Sequence, residues 1–213
     1  MLTYFITAND TEVGKTYTTG LLARHFAGQG HLVQIVKAVE CGDSGDADWA
    51  LNFANSDRVT AHRLLHYPEP LAPLADENVA KGAPKLAAII NALENLSKVD
   101  IRLIEGAGGV AVPIDPGGQD WLDLIDAILP DRVIAVVDNR LGSINQSRLL
   151  HSYLNNRPHA FVLNEVSPVD AAVHASNLAA LGSYGLPLLG CVKPSAKVID
   201  FCDLSLLDSS KVD

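Results

Sequence analysis

The sequence predicts a doubly wound α/β fold built on a mostly parallel sheet, and three observations predict it. Short, strongly apolar runs recur along the 213 residues. Longer amphipathic segments separate them, which is the βαβα alternation of a parallel sheet covered on both faces. The first run leads into a Gly-Lys-Thr turn that opens a helix.

The elements follow in order. Leu2–Ile6 is a bulky, β-favouring run. Lys15–Gln29 carries Leu21, Leu22 and Phe26 at helical spacing and ends in Gly30. Leu32–Val36 predicts the second strand, with Lys37 at its carboxyl end. Residues 43–83 break the rhythm with Asp46-Ala47-Asp48-Trp49, two short helix-like pieces, and Pro68, Pro70 and Pro73. They read as an insertion on the ligand side of the sheet. Pro84–Leu96 opens on Pro and repeats Leu86, Ile89, Ile90 and Leu93, a helical face. Ile101–Ile104, Val133–Val137, Ala160–Leu163 and Leu186–Val192 predict further strands. Ser143–Leu154 and Val169–Leu181 predict the helices between them. Residues 203–213 are polar and read as a weakly ordered tail. At ~150 residues per domain, residues 1–213 predict one domain.

Composition narrows the function classes. Hydrophobic residues make up 48% and charged residues 19%, as in a globular protein. A net charge of −9 argues against nonspecific nucleic-acid binding, which needs a basic surface. It leaves room for anionic small ligands held by a local cluster of lysines and backbone N–H groups. Cys41, Cys191 and Cys202 form no CxxC pair, so neither a disulfide framework nor a zinc site is expected, and a reducing cytoplasm is. Met1–Thr7 lacks a basic leader, and no apolar run approaches the ~18 residues of a membrane span.

The opening loop reads Ala8-Asn9-Asp10-Thr11-Glu12-Val13-Gly14-Lys15-Thr16. Strand, loop and helix N-terminus are the setting in which backbone N–H groups and a helix dipole cradle phosphate. Lys15 would reach the terminal phosphates, and the Thr16 hydroxyl would complete a Mg²⁺ shell. The loop deviates from GxxxxGK[ST] because Asn9 stands where the first Gly belongs, and Ala8 occupies the Gly position of a longer variant. An Ala there would be costly if that position needed a positive φ.

Companions sit where a phosphoryl-transfer site needs them. Glu105 follows an apolar strand and precedes Gly106-Ala107-Gly108-Gly109, so it predicts a carboxylate at the ligand edge able to hold Mg²⁺. Lys37 ends another strand and can face the same ligand or lie in solvent. Asp46 and Asp48 open the insertion; Asp48 is read as the second metal carboxylate and Asp46 as an N-cap. His62 and His66 stand four residues apart with no third ligand and read as surface residues.

Assembled, these residues resemble the dethiobiotin synthase family, the ATP-dependent ligases of biotin synthesis. The family's Gly-Thr-Asp-Thr-(Glu/Gly)-Val-Gly-Lys-Thr is matched by Ala8–Thr16, and its Lys-Pro-Val-x-(Ser/Thr)-Gly by Lys37–Gly42. Its Glu-Gly-Ala-Gly-Gly stands unchanged at Glu105–Gly109. Leu141–Gln146 matches a Leu-Gly-x-Ile-Asn element, and Asn164–Pro168 an Asn-(Asp/Glu)-x-x-Pro element. Pro68, Pro70 and Pro73 resemble the proline-marked part of the family's insertion. The order of motifs holds from residue 1 to about 194.

The resemblance implies a P-loop-type fold with a deviant Walker A loop, and an ATP- and Mg²⁺-dependent cyclo-ligase. Such an enzyme joins 7,8-diaminononanoate and CO₂ through a phosphorylated carbamate. It implies Lys15, Lys37 and Thr11 as the catalytic groups, and Thr16, Asp48 and Glu105 as metal ligands. Glu12, Val13, Gly14, Tyr17, Gly106, Ala107, Gly108, Asn164, Glu165 and Pro194 would surround the nucleotide. Cys41 would face substrate where a hydroxyl is usual. Gly142, Ser143, Ile144 and Asn145 would bind the substrate carboxylate across a homodimer interface. Ala38 stands where the family has Pro. A regulatory ATPase of the partitioning type stays a rival, although Asp10 stands where its signature Lys belongs. A non-catalytic nucleotide-binding paralogue is the other. An amidotransferase relative would need a glutaminase domain that the chain is too short to carry.

Overall fold

Alternation along the first strand sets up both cores. In a computed structural model, which describes residues 1–208, β1 (Leu2–Ala8) turns Tyr4, Ile6 and Ala8 to one face and Phe5 to the other. β1 lies inside an eight-stranded sheet between β4 (Ile101–Glu105) and β5 (Arg132–Asp138), parallel to both. Outward on one side run β2 (Val33–Cys41) and β3 (Val59–Tyr67). Outward on the other run β6 (His159–Asn164), β7 (Leu188–Val192) and a two-residue antiparallel strand, β8 (Asp200–Phe201). The order is β3-β2-β4-β1-β5-β6-β7-β8. β4, buried along its whole length, is covered on both faces.

α1 (Lys15–Gly28) and α2 (Asp46–Ala54) pack on one face through Leu21, Leu22, Phe26, Ala50 and Ala54. α3 (Asp76–Ala80) is a single short piece after β3. The second face is covered by α4 (Leu86–Glu94), α5 (Trp121–Ile128), α6 (Ser143–Leu154) and α7 (Ala171–Ser183). There Ile89, Leu93, Trp121, Leu124, Leu150 and Leu181 close over the sheet.

Two boundaries differ from expectation. Residues 43–83 are more than a ligand-side insertion, because β3 within them extends the sheet beside β2. As the edge strand it buries only Val59 and Tyr67 and carries His62, Arg63 and His66, so it shows no apolar run. His62 and His66 stand on this strand and not on a helix. The tail from Asp203 forms a 3₁₀ turn, Leu204–Leu207, whose Leu207 is buried and whose carbonyl accepts from the Tyr4 hydroxyl. Residues 209–213 of the expected tail lie outside the described residues. α5, which no expectation covered, starts at Asp120 with a reciprocal capping box to Asp123.

Candidate active site

Sheet register brings the charged groups together. Glu105 ends β4 level with Ile6 on one side and Lys37 on the other. The side chains of such neighbours project from the same pleat, and Lys37 Nζ donates to Glu105 Oε1 at 2.6 Å. Thr16 and Thr19, one turn apart on α1, donate to the two oxygens of the same carboxylate at 2.7 Å each. Asp46 Oδ2 reaches Lys37 Nζ at 2.6 Å from the start of α2. One buried ammonium thus bridges two carboxylates. Burial works against its charge, yet the nearby Glu105 and Asp46 and their hydrogen bonds outweigh it and hold the Lys37 pKa above the usual lysine value.

The loop Ala8–Thr16 forms the floor. Gly14 has φ +96°, and a Cβ there would lie 2.1 Å from Asn164 Nδ2. Asn164, buried at the end of β6, donates to the Val13 carbonyl at 2.9 Å, so it props the loop from below. Glu12 holds φ +57°, an uncommon conformation for a residue with a side chain. Ala8 lies within β1, buried and paired to Val136, and is absent from the positive-φ residues. Its feared backbone cost does not arise. Lys15 Nζ curls back onto the Asp10 carbonyl at 2.7 Å. Burial, aided by the neighbouring Lys37, lowers its pKa to about 8 against the pull of Glu105. Gly109 passes so close to Asn9 that a Cβ would stand 2.9 Å from the Asn9 carbonyl oxygen.

These groups line a cleft of about 700 Å³. Thr11, Glu12, Gly14, Lys15, Thr16 and Tyr17 form one side, with Ala107 and Gly108 beside them. Lys37, Cys41, Ser44 and Asp46 form the far end. Burial pushes the half-buried Cys41 thiol up, so a neutral, weakly donating group faces the cleft there. Ala38 continues β2 without interruption. The remaining wall is the segment Pro70–Pro73, which the proline spacing marks, with Trp49 and Val112, which it does not.

Several expected residues stand elsewhere. Asp48 is exposed and outside the cleft, and Asp46 occupies the place expected for it. Neither is an N-cap, since Gly45 caps α2 without a side chain. Two carboxylates two residues apart lie on opposite sides of a helix and cannot both face inward, and spacing alone does not say which does. Glu165 is turned into a polar cluster, with His174 Nδ1 at 2.8 Å and Asn139 Nδ2 at 3.3 Å. Pro194 is exposed, although the Tyr17 hydroxyl fastens the following loop through the Ala196 carbonyl. Gly142, the N-cap of α6, and Ser143, Ile144 and Asn145 in its first turn do not line this cleft, and Ser143 is buried. There Ser143 Oγ ties the turn to the Asp138 and Arg140 carbonyls at 2.6 Å. Thr19 and Ser44 were not foreseen, because a hydroxyl one helical turn after the loop or just beyond a Gly carries no pattern of its own.

Chemically, the arrangement sets two ammonium groups and two carboxylates around a glycine-backed loop at a helix N-terminus. That combination suits a phosphate chain and a hard cation. Among the described residues no three His, Cys, Asp or Glu side chains form a metal-holding group, and no helix is long and apolar enough to cross a membrane. Comparison with known proteins gives the same direction. A family profile described as an AAA domain matches residues 2–200. The ATP-dependent dethiobiotin synthetase BioD of Streptomyces coelicolor is 31% identical over 211 residues, covering 90% of this chain and 83% of that one. The enzyme of the same name from Methanocaldococcus jannaschii is 35% identical over 161 residues, covering 72% of this chain and 73% of its own. Among solved structures, FtsY of Elizabethkingia anophelis superposes with a TM-score of 0.62 at 14% identity, over 98% of this chain and 64% of that one. Chloroplast FtsY of Physcomitrella patens gives 0.60 at 18%, with the same coverage. The latter two show a shared fold, the P-loop NTPase-like α/β fold.

Proposed function

The chain belongs to the dethiobiotin synthetase family, and on that premise we propose that it converts 7,8-diaminononanoate and CO₂ to dethiobiotin at the expense of ATP. The reading rests on one observation above the rest: Lys15, Thr16, Lys37 and Asp46 line one cleft, and the buried Glu105 behind them binds Thr16 and Lys37 together.

One substrate amine adds to CO₂, loses a proton and becomes a carbamate. A carbamate oxygen attacks the γ-phosphorus of ATP, and ADP leaves. The second amine then attacks the carbamoyl carbon and gives up a proton, phosphate departs, and the cyclic urea closes. Lys15 and Lys37 neutralise the anions that face each other in the second step, which is catalysis mainly by positioning and charge. Thr11, exposed at the loop tip, donates to the carbamate or the phosphate. Cys41 forms the substrate wall. Glu12, Val13, Gly14, Thr16 and Tyr17 surround the triphosphate with Gly106, Ala107 and Gly108. Asn164 spends one amide hydrogen on Val13, and its second reaches the base edge beside the loop that carries Pro194. Glu165 is not retained in the nucleotide site.

Mg²⁺ fits these residues. An ammonium already bridges Asp46 and Glu105, and two carboxylates with a Thr hydroxyl leave room for the phosphate oxygens and waters that this ion keeps. Thr16, Asp46 and Glu105 would hold it, and it would offset charge on the terminal phosphates. Gly142–Asn145 of a second copy would bind the substrate carboxylate at a helix N-terminus, which makes the working unit a homodimer. The reading takes the reaction to be cytoplasmic. The test is ADP release from MgATP with diaminononanoate and bicarbonate, and with each left out. Release that needs all components is expected; substrate-independent hydrolysis, or tight binding without turnover, overturns the reading.

A further inference from the structure

Glu40 is an acid that the proposed reaction does not use. It lies in β2, 1% exposed, just behind the cleft wall formed by Cys41, Ser44 and Asp46. Its Oε1 accepts from Ser44 Oγ at 3.0 Å and from the Asp46 backbone N–H at 3.1 Å. Its Oε2 is buried without a hydrogen bond among the described residues, with Arg63 Nη1 of β3 at 3.7 Å. Burying a carboxylate with one oxygen unpaired is unfavourable and calls for a reason.

We infer that Glu40 is a positioning residue that fixes Asp46 for the cation site. The reason lies in how α2 begins. The first N–H groups of a helix have no partner inside it, and a side chain at the N-cap usually supplies one. Here the N-cap is Gly45, which has no side chain. Glu40 supplies the acceptor from the neighbouring strand, and its charge suits the helix N-terminus. The consequence is geometric. β2 carries both Lys37 and Glu40, so one strand places the ammonium and also anchors the backbone of the carboxylate that pairs with it at 2.6 Å. Without the anchor, a glycine-flanked turn (Gly42 and Gly45, both at positive φ) would leave Asp46 free to swing. Arg63 lies where it compensates the buried charge from the sheet edge.

This inference rests on the reading of Asp46 and Glu105 as the cation's ligands, and the experiment separates the two. ATP binding is measured by calorimetry in EDTA and across a Mg²⁺ series, with KM for diaminononanoate as a further readout. Wild-type binding that ignores Mg²⁺ overturns the cation reading and this inference with it. Given a Mg²⁺-dependent wild type, Glu40→Ala is expected to raise the half-saturating Mg²⁺ about tenfold, the usual scale for removing an outer partner of a ligand. ATP affinity in EDTA stays within about twofold, since no cation is then present for Asp46 to hold, and at saturating Mg²⁺ the KM for diaminononanoate returns to within about twofold of wild type. Glu40→Gln, which keeps the acceptor oxygen, restores the Mg²⁺ titration. A Glu40→Ala titration that matches wild type overturns the inference alone. So does a parallel loss of affinity in EDTA, which marks general damage, or a Glu40→Gln loss as large as that of Ala, which marks charge and not position. Should the Ala variant not fold, Glu40→Asp withdraws the acceptor while keeping the charge; a raised Mg²⁺ requirement supports the inference, and an unchanged one removes it.

Discussion

At the scale of single residues, Lys37 and Lys15 divide the charge work and predict different failures. Lys37 stands at the far end of the cleft, held by Asp46 and Glu105. Lys37→Ala is expected to lower turnover by ~10²-fold or more while ATP affinity moves little, because the group acts where charge develops. Steady-state kinetics beside direct binding measures the split. Lys15 predicts a pH effect. Its pKa in the free protein is about 8, against 10.5 for an ordinary lysine. Above pH 8 the unliganded side chain therefore loses its proton, and a triphosphate must restore it. ATP affinity is expected to fall as pH rises past 8, with proton uptake visible as a buffer-dependent binding heat. Stability moves the other way. Between pH 8 and 10.5 the unfolded chain binds more protons than the native one at this group, so its contribution to stability rises with pH. Lys15, Thr16 and Glu105 were legible in the sequence, because each starts a helix or ends a strand beside glycines; Lys37 was legible as the charge closing an apolar run, although β2 continues past it to Cys41. Asp46 was not, since choosing between Asp46 and Asp48 needs the orientation of α2. Glu40 was hidden by its place within an apolar strand.

At the scale of elements, the opening loop and β6 act as one piece. Asn164 Nδ2 holds the Val13 carbonyl, and Gly14 leaves no room above that amide. Gly14→Ala demands an unfavourable φ and drives a methyl into Asn164, and the loop must then part from β6. ATP affinity is expected to drop about a hundredfold, with a cost in stability of ~2 kcal/mol or more, read by calorimetry and denaturant melts. The same scale shows what pattern can and cannot reveal. β1, β2, β4, β5, β6 and β7 announce themselves because both faces are covered, so nearly every residue is apolar. β3 hides because an edge strand with one free margin carries polar residues. α5 hides because the glycine-rich stretch before it reads as loop up to Asp120.

At the scale of the whole molecule, β1 and the turn Leu204–Leu207 lock together. Leu207 covers the core near Tyr4, so removing residues 203–213 uncovers both. That truncation is expected to cost ~2 kcal/mol, about the burial of one leucine, and to lower the melting temperature without changing KM for ATP. A thermal melt with parallel kinetics decides it. The sheet's two margins carry a last consequence. One ends on β3, studded with His62, Arg63 and His66, and the other on a strand of two residues running the opposite way. Charged side chains on the one and the shortness of the other both discourage a further strand from adding there, so the sheet is guarded against growing from copy to copy.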